Sequence, residues 1–295
     1  MVAISLLLWM AMEIAAYLAV GRSLLHLDWS YAIAGAVGLL LGVRASLNAV
    51  TWMFGMALAS PAPRLGFART AKMIWDEYLA FLFTFLLVLP FERLWMPADR
   101  LHQGRPVVLF VHGYGCSRGV WWLLRRRFEA AGFTVASVSL TPPYGSMGKM
   151  VPLLNQRIEA VCTASGAKQV TLVAHSMGGL VCRSYLARHG IARVAKLITL
   201  ATPHGGSALA RLAFGQNARE MEPGSLWLQD MADEPLKVPV ISLRNPYDNY
   251  VMPQDLQRLA GARDVELPAG GHTTLFYAPA VAEILLEACQ EQGTT

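Results

Sequence analysis

The stretch Val170-Thr171-Leu172-Val173-Ala174-His175-Ser176-Met177-Gly178-Gly179 changes its periodicity in the middle. Up to His175 it is a short apolar run of the kind that forms a strand buried on both faces. From Met177 to His189 the pattern is helical, and Gly190 supplies a stop. A strand therefore passes into a helix with Ser176 alone between them. Ala174 and Gly178 stand two before and two after the serine. A turn this tight would press a larger side chain at either position into neighbouring backbone. It lifts the Ser176 hydroxyl clear of the sheet and aims the positive end of the next helix at it.

Working outward, the same alternation repeats. Strands are expected at Pro106–Val111, Phe133–Leu140, Gln169–Ala174, Lys196–Ala201, Pro239–Leu243 and Val265–Leu267. Helices are expected at Val120–Ala131, Val151–Cys162, Met177–His189, near Gln254–Leu259 and at Ala278–Glu291. Continuous apolar strands alternating with helices predict an α/β fold, a mostly parallel sheet with helices on both faces. No internal repeat or low-complexity tract interrupts it.

The serine turn between a clear strand and a clear helix resembles the nucleophile elbow of the α/β-hydrolase superfamily. The Ala174-His-Ser-Met-Gly-Gly179 form is similar to that of bacterial lipases and esterases. The resemblance runs from about Arg105 to the C-terminus and does not cover the first hundred residues. It implies a chain order of serine, acid, histidine. Asp248, in Asn245-Pro-Tyr-Asp-Asn-Tyr-Val-Met-Pro253, follows a predicted strand and resembles the family's acid loop. Asp230 and Asp255 compete less well because neither directly follows a strand. His272, in Gly270-Gly-His-Thr-Thr274, lies before the last helix and resembles the catalytic histidine. His112-Gly113-Tyr114-Gly115, after the first strand, resembles the oxyanion loop, which implies backbone N–H donors at Tyr114 and Met177. In this reading Ala174, His175 and Gly178 support the motif, His175 by packing. His204 reads as structural or as a pocket wall, and His26, His102 and His189 have no motif around them.

The implied activity is cleavage of carboxylic esters, with Ser176 as nucleophile, His272 as base and Asp248 as its orienter. The expected partner is an acyl ester or lipid, and no cofactor is needed. No HExxH or close histidine pair points to a metal. The four cysteines, Cys116, Cys162, Cys182 and Cys289, form no CxxC and read as small apolar residues. The insertions at Tyr144–Met150 and 206–236 flank the site, and the second is a lid candidate or an ordinary helical connection. Three other readings stay open: an acyltransferase on the same fold, a deacylase or phospholipase acting on a complex lipid headgroup, and a non-catalytic membrane-associated binding module.

Hydrophobic residues make up 54% of the 295, and charged residues only 15%, against a usual ~25%. This excludes a disordered chain, and the net charge of +5 with no long basic run gives no reason to expect a nucleic acid partner. Arg125-Arg126-Arg127 reads as a solvated helix face. Residues 1–100 are expected to be a membrane-anchoring region of two to three transmembrane helices, and 101–295 the catalytic domain. The apolar runs are Ala3–Val20, Trp29–Ala59 interrupted by Arg44, and Tyr78–Leu89, which Asp76 and Glu77 precede. No basic stretch precedes the first run and no small-x-small site follows it, so it reads as a retained helix and not a cleaved signal. The competing reading is an apolar layer packed on a soluble domain. Arg44 is expected to snorkel from a span end or to mark a turn. Arg64, Arg69 and Lys72 put their loop in the cytoplasm. Three spans then place the catalytic domain outside the cytoplasm, and two place it inside. The location implied is a bacterial inner membrane.

Overall fold

The computed structural model describes residues 2–291, so residues 292–295 of the expected catalytic domain lie outside the described residues. Six strands, β1 (Val107–Val111), β2 (Thr134–Val138), β3 (Val170–His175), β4 (Val194–Leu200), β5 (Val240–Arg244) and β6 (Arg263–Glu266), form one sheet in the order β2-β1-β3-β4-β5-β6. Every pairing is parallel. Side chains alternate between the two faces as the pleat requires. Val107, Leu109 and Val111 point into one core and Val108 and Phe110 into the other.

Before the sheet come α1 (Val2–Ala19), α2 (Trp29–Ala57), α3 (Phe67–Leu82) and the short α4 (Glu92–Trp95). Then α5 (Trp122–Ala130) follows β1, α6 (Met147–Ser165) follows β2 and α7 (Met177–His189) follows β3. The chain finishes with α8 (Gln216–Glu220), α9 (Leu226–Ala232) and α10 (Pro279–Gln290). Helices α6 and α7 cover one face, and α5 and α10 the other. The expected elements are present with shifted ends, except that a 3₁₀ turn, Gln254–Gln257, stands where a helix near Gln254–Leu259 was expected. The largest extension is α6, which starts at Met147 because the Ser146 side chain caps it through Gly148 N. The last strand, Arg263–Glu266, starts two residues and ends one residue earlier than expected, and is an exposed edge rich in charge.

From β1 the chain steps to β2 on one side and then returns to place β3 on the other. The carboxyl ends of β1 and β3 therefore bound the crevice where strand order reverses, the usual position of a ligand site in such sheets. The register Val111↔Ala174 brings the His112–Gly115 loop beside Ser176.

Two of the three expected spans match helices long and apolar enough to cross a membrane: Val2–Leu24, where α1 continues into a π-type turn, and Trp29–Ala57. The third run does not. It is divided between α3 and a π-type stretch, Phe83–Val88, with Met73, Glu77, Ala80, Thr84 and Val88 buried, Glu77 and Thr84 against Thr273 and Tyr277. Arg44 also departs from expectation. It ends no helix, because α2 runs through it, and its guanidinium grips Glu13 of α1 with both nitrogens, at 2.5 and 2.6 Å. Arg125 is not on a solvated face. It is buried and pairs with Asp99 at 2.9 Å and Glu129 at 2.7 Å.

Candidate active site

Ser176 sits between β3 and α7 at φ 54°, ψ −129°, a strained conformation for a residue with a Cβ. Its neighbours leave no alternative path. A Cβ on Gly178 would lie 2.6 Å from the carbonyl oxygens of both Val111 and His112. One on Gly113 would lie 2.8 Å from the Ser176 Cβ. The elbow and the loop after β1 can therefore touch only because both positions are glycine.

His112 is spent on shaping that loop. Its Nε2 accepts from Leu140 N at 2.9 Å, so the ring proton resides on Nδ1, which donates to the carbonyl of Gly113 at 2.8 Å. Burial pulls the imidazole down to about 4, so it is neutral at physiological pH. In a planar trans peptide the Gly113 carbonyl and the Tyr114 N–H point opposite ways. Holding one aims the other. Among the described residues no backbone or side-chain acceptor takes the N–H of Tyr114 or of Met177, the first residue of α7. Gly115, at φ 64°, completes the turn.

The loop after β5 delivers Asp248, which is fully buried. Its Oδ1 accepts from Tyr250 N and Val251 N at 2.7 and 2.8 Å, and its Oδ2 lies 2.7 Å from His272 Nδ1. Burial pulls the His272 imidazole down, but the charge and hydrogen bond of Asp248, with Glu77 adding to them, more than reverse this and leave it raised. Asp255 pairs with Arg258 at 2.9 Å and Asp230 is exposed, so neither competes for His272. His175 packs between His272 and Phe276, with centroids 4.4 Å from each, and burial holds it neutral. His204 meets Thr199 at 3.2 Å and is absent from the cavity wall. Ser176 and His272 line one cavity without a hydrogen bond between them. Such contacts often tighten only when substrate binds.

The N-terminal helices supply contacts that sequence reasoning missed. Glu77 of α3 is fully buried and accepts from Thr273 N (2.9 Å), Thr274 N (2.8 Å) and Thr274 Oγ1 (2.6 Å). Thr51 of α2 accepts from Asn249 Nδ2 at 2.8 Å, and Asn249 Oδ1 accepts from His272 N at 3.0 Å. Gln254 Nε2 donates to the carbonyls of Asp248 (2.8 Å) and Gly55 (3.2 Å). The signal that marked Glu77 was in the sequence: a carboxylate inside an apolar helical run is seldom buried without a specific partner.

The cavity, about 280 Å³, is largely apolar; Leu6 of α1, Phe81 of α3, and Phe85, Leu209, Ala210 and Met221 contribute to its wall. Leu209, Ala210 and Met221 belong to the 206–236 segment, which lies over the site. That segment is tied to the His112–Gly115 loop by the Tyr114 hydroxyl, which donates to the Phe214 carbonyl and accepts from Phe214 N at 3.1 Å. Leu212, Phe214 and Leu226 on it are exposed.

This sheet, with helices on both faces and a serine elbow at its switch point, is the α/β-hydrolase fold. The alpha/beta hydrolase fold family matches residues 106–233. Triacylglycerol lipases of Pseudarthrobacter phenanthrenivorans and Burkholderia plantarii are each 31% identical over 138 residues, 44% of this chain. The chain spans 42% and 37% of the length of these curated relatives. A Bacillus licheniformis lipase structure superposes with a TM-score of 0.59 at 19% identity, covering 66% of this chain and 96% of that one. Aspergillus fumigatus lipase B gives 0.58 at 16%, covering 64% and 54%. At these identities the structural likeness concerns the fold.

Proposed function

We propose that the chain is a membrane-anchored serine hydrolase that cleaves carboxylic esters of acyl lipids. One observation carries the reading: Ser176, on a strained elbow, shares a cavity with a His272 whose Nδ1 is held 2.7 Å from Asp248. Ser176 Oγ attacks the ester carbonyl while His272 Nε2 takes its proton. The N–H groups of Tyr114 and Met177 receive the developing oxyanion. Asp248 stabilises the imidazolium, which then protonates the leaving alcohol. Water, activated by His272, releases the acid from the acyl-enzyme.

The apolar wall suits an acyl chain, and residues 206–236 act as its cover. The α1–α2 hairpin is the anchor. No residue of α1 is buried, and the Glu13–Arg44 pair gives the two interior charges to each other, as a bilayer requires. With α3 packed on the domain, the hairpin is the membrane crossing among the described residues in this reading. Arg64, Arg69 and Lys72 then lie on the same side as the catalytic domain, which the positive-inside tendency makes the cytoplasm.

A fluorophosphonate probe tests the chemistry on the full chain in detergent. Wild type is expected to be labelled and Ser176→Ala not. Absence of labelling in folded wild type, with Ser176→Ala equally active on esters, would sink the proposal. A reporter fused after residue 295 tests the topology, with a cytoplasmic signal expected.

A further inference from the structure

We propose that Glu77, on a helix of the N-terminal region, is a positioning residue that seats the His272 loop and adds a second negative charge behind the imidazole. The inference rests on the hydrolase reading. Glu77 faces two backbone donors, Thr273 N and Thr274 N, and the Thr274 hydroxyl. The two backbone N–H groups can only donate, so they favour the carboxylate, although burial pushes the group upward. The carboxylate also lies flat against Gly271, where any Cβ would overlap it. Residues 271, 273 and 274 are thus held on both sides of the histidine by one side chain that reaches across from α3. The second tether is independent. Asn249, bonded to Thr51 of α2, holds the His272 backbone N–H.

The groups facing the imidazole are few. Asp248 holds Nδ1, the Tyr250 ring from the same loop lies tilted with its centroid 5.2 Å away, His175 packs at 4.4 Å from β3, and Glu77 approaches from α3. Burial keeps Tyr250 and His175 uncharged. Removal of Glu77 therefore removes one of the two anions that favour the imidazolium formed during turnover. The same contacts make the N-terminal region part of the catalytic apparatus and not only a tether.

The test uses full-length protein in detergent, a soluble short-chain ester, and fluorophosphonate titration to count active sites. Glu77→Ala is expected to lower kcat by on the order of 10²-fold, the cost of a misplaced catalytic group, with little change in KM. Glu77→Asp is expected to recover part of it. Glu77→Gln is expected to move the acid limb of the kcat/KM profile to lower pH, which a purely structural role would not do. Should the Glu77 variants fail to fold, Thr274→Val removes a single bond and is expected to lower kcat several-fold per titrated site. Wild-type kcat and an unmoved acid limb in labelled, folded Glu77 variants overturn the proposal, as does an unchanged kcat in Thr274→Val if the former do not fold. If wild type itself is not labelled at Ser176, the hydrolase reading fails first and takes this one with it.

Discussion

The Nδ1 of His112 donates to the carbonyl of Gly113 at 2.8 Å, and that bond fixes the peptide whose other end is the N–H of Tyr114. His112→Ala frees this peptide to rotate. The expected outcome is a fall in kcat toward the 10²–10³-fold typical of losing an oxyanion donor, with KM little changed. Steady-state kinetics on a soluble ester checks it. A variant that raised KM alone would show that the histidine serves binding instead.

The raised His272 imidazole has a pH signature. In the proposed mechanism His272 must be neutral to act as base, so kcat/KM should climb through an apparent value above the ordinary ~6.5 of histidine. The sign follows from the shift. The folded state favours the protonated ring, so its contribution to stability is present below the unfolded value and is lost as pH rises through the folded one. Asp248→Asn removes the main cause of the rise. It should lower kcat by on the order of 10⁴-fold and move the limb to lower pH; a limb that stayed in place would refute the assignment of Asp248.

Gly178→Ala places a Cβ 2.6 Å from two carbonyl oxygens, of Val111 at the end of β1 and of His112 in the loop after it. A cost of about 1–3 kcal/mol is expected from overpacking of this kind, together with loss of probe labelling. Gly38, on α2, has nothing within 4 Å of a Cβ. Gly38→Ala should be neutral or slightly stabilising, since alanine favours helix by roughly 0.5–1 kcal/mol. Thermal unfolding of the two variants side by side makes the comparison, and equal effects would contradict it.

The Glu13–Arg44 pair, with side chains 11% and 10% exposed, predicts a non-additive cycle. Arg44→Met alone leaves the Glu13 carboxylate without its counter-charge, with only the Tyr17 hydroxyl as donor, and should cost about 3–5 kcal/mol. The double variant Glu13→Gln, Arg44→Met should recover most of it. Unfolding in detergent reads the result, and additive losses would mean that the two residues act separately.

What the sequence disclosed was local or serially ordered. The passage from Leu172 to Gly179 shows a strand, a tight turn and a helix within one short window, so the elbow could be read directly. Asp248 and His272 were accessible because each follows a strand in a fixed chain order. Arg44 was read as a span end or a turn, and the contacts of Glu77 went unforeseen, for a common reason. Each is a charge in or beside an apolar run, and the run does not say what it meets. Their partners lie 31 residues away for Arg44 and 196 or more for Glu77. Once its contacts are known, the Glu77 carboxylate explains how α3 is held on the domain.

The separation between Glu77 and Thr273, like that of 198 residues between Thr51 and Asn249, also has a kinetic meaning. Contacts this remote along the chain close loops late and slow the search for the native state. During synthesis α2 and α3 leave the ribosome well before the His272 loop. The elbow and the Gly113 loop can meet before that loop emerges, but His272 can be seated only after it. A nascent chain halted before residue 272 would carry Ser176 without His272, so under the proposed function it would be inert.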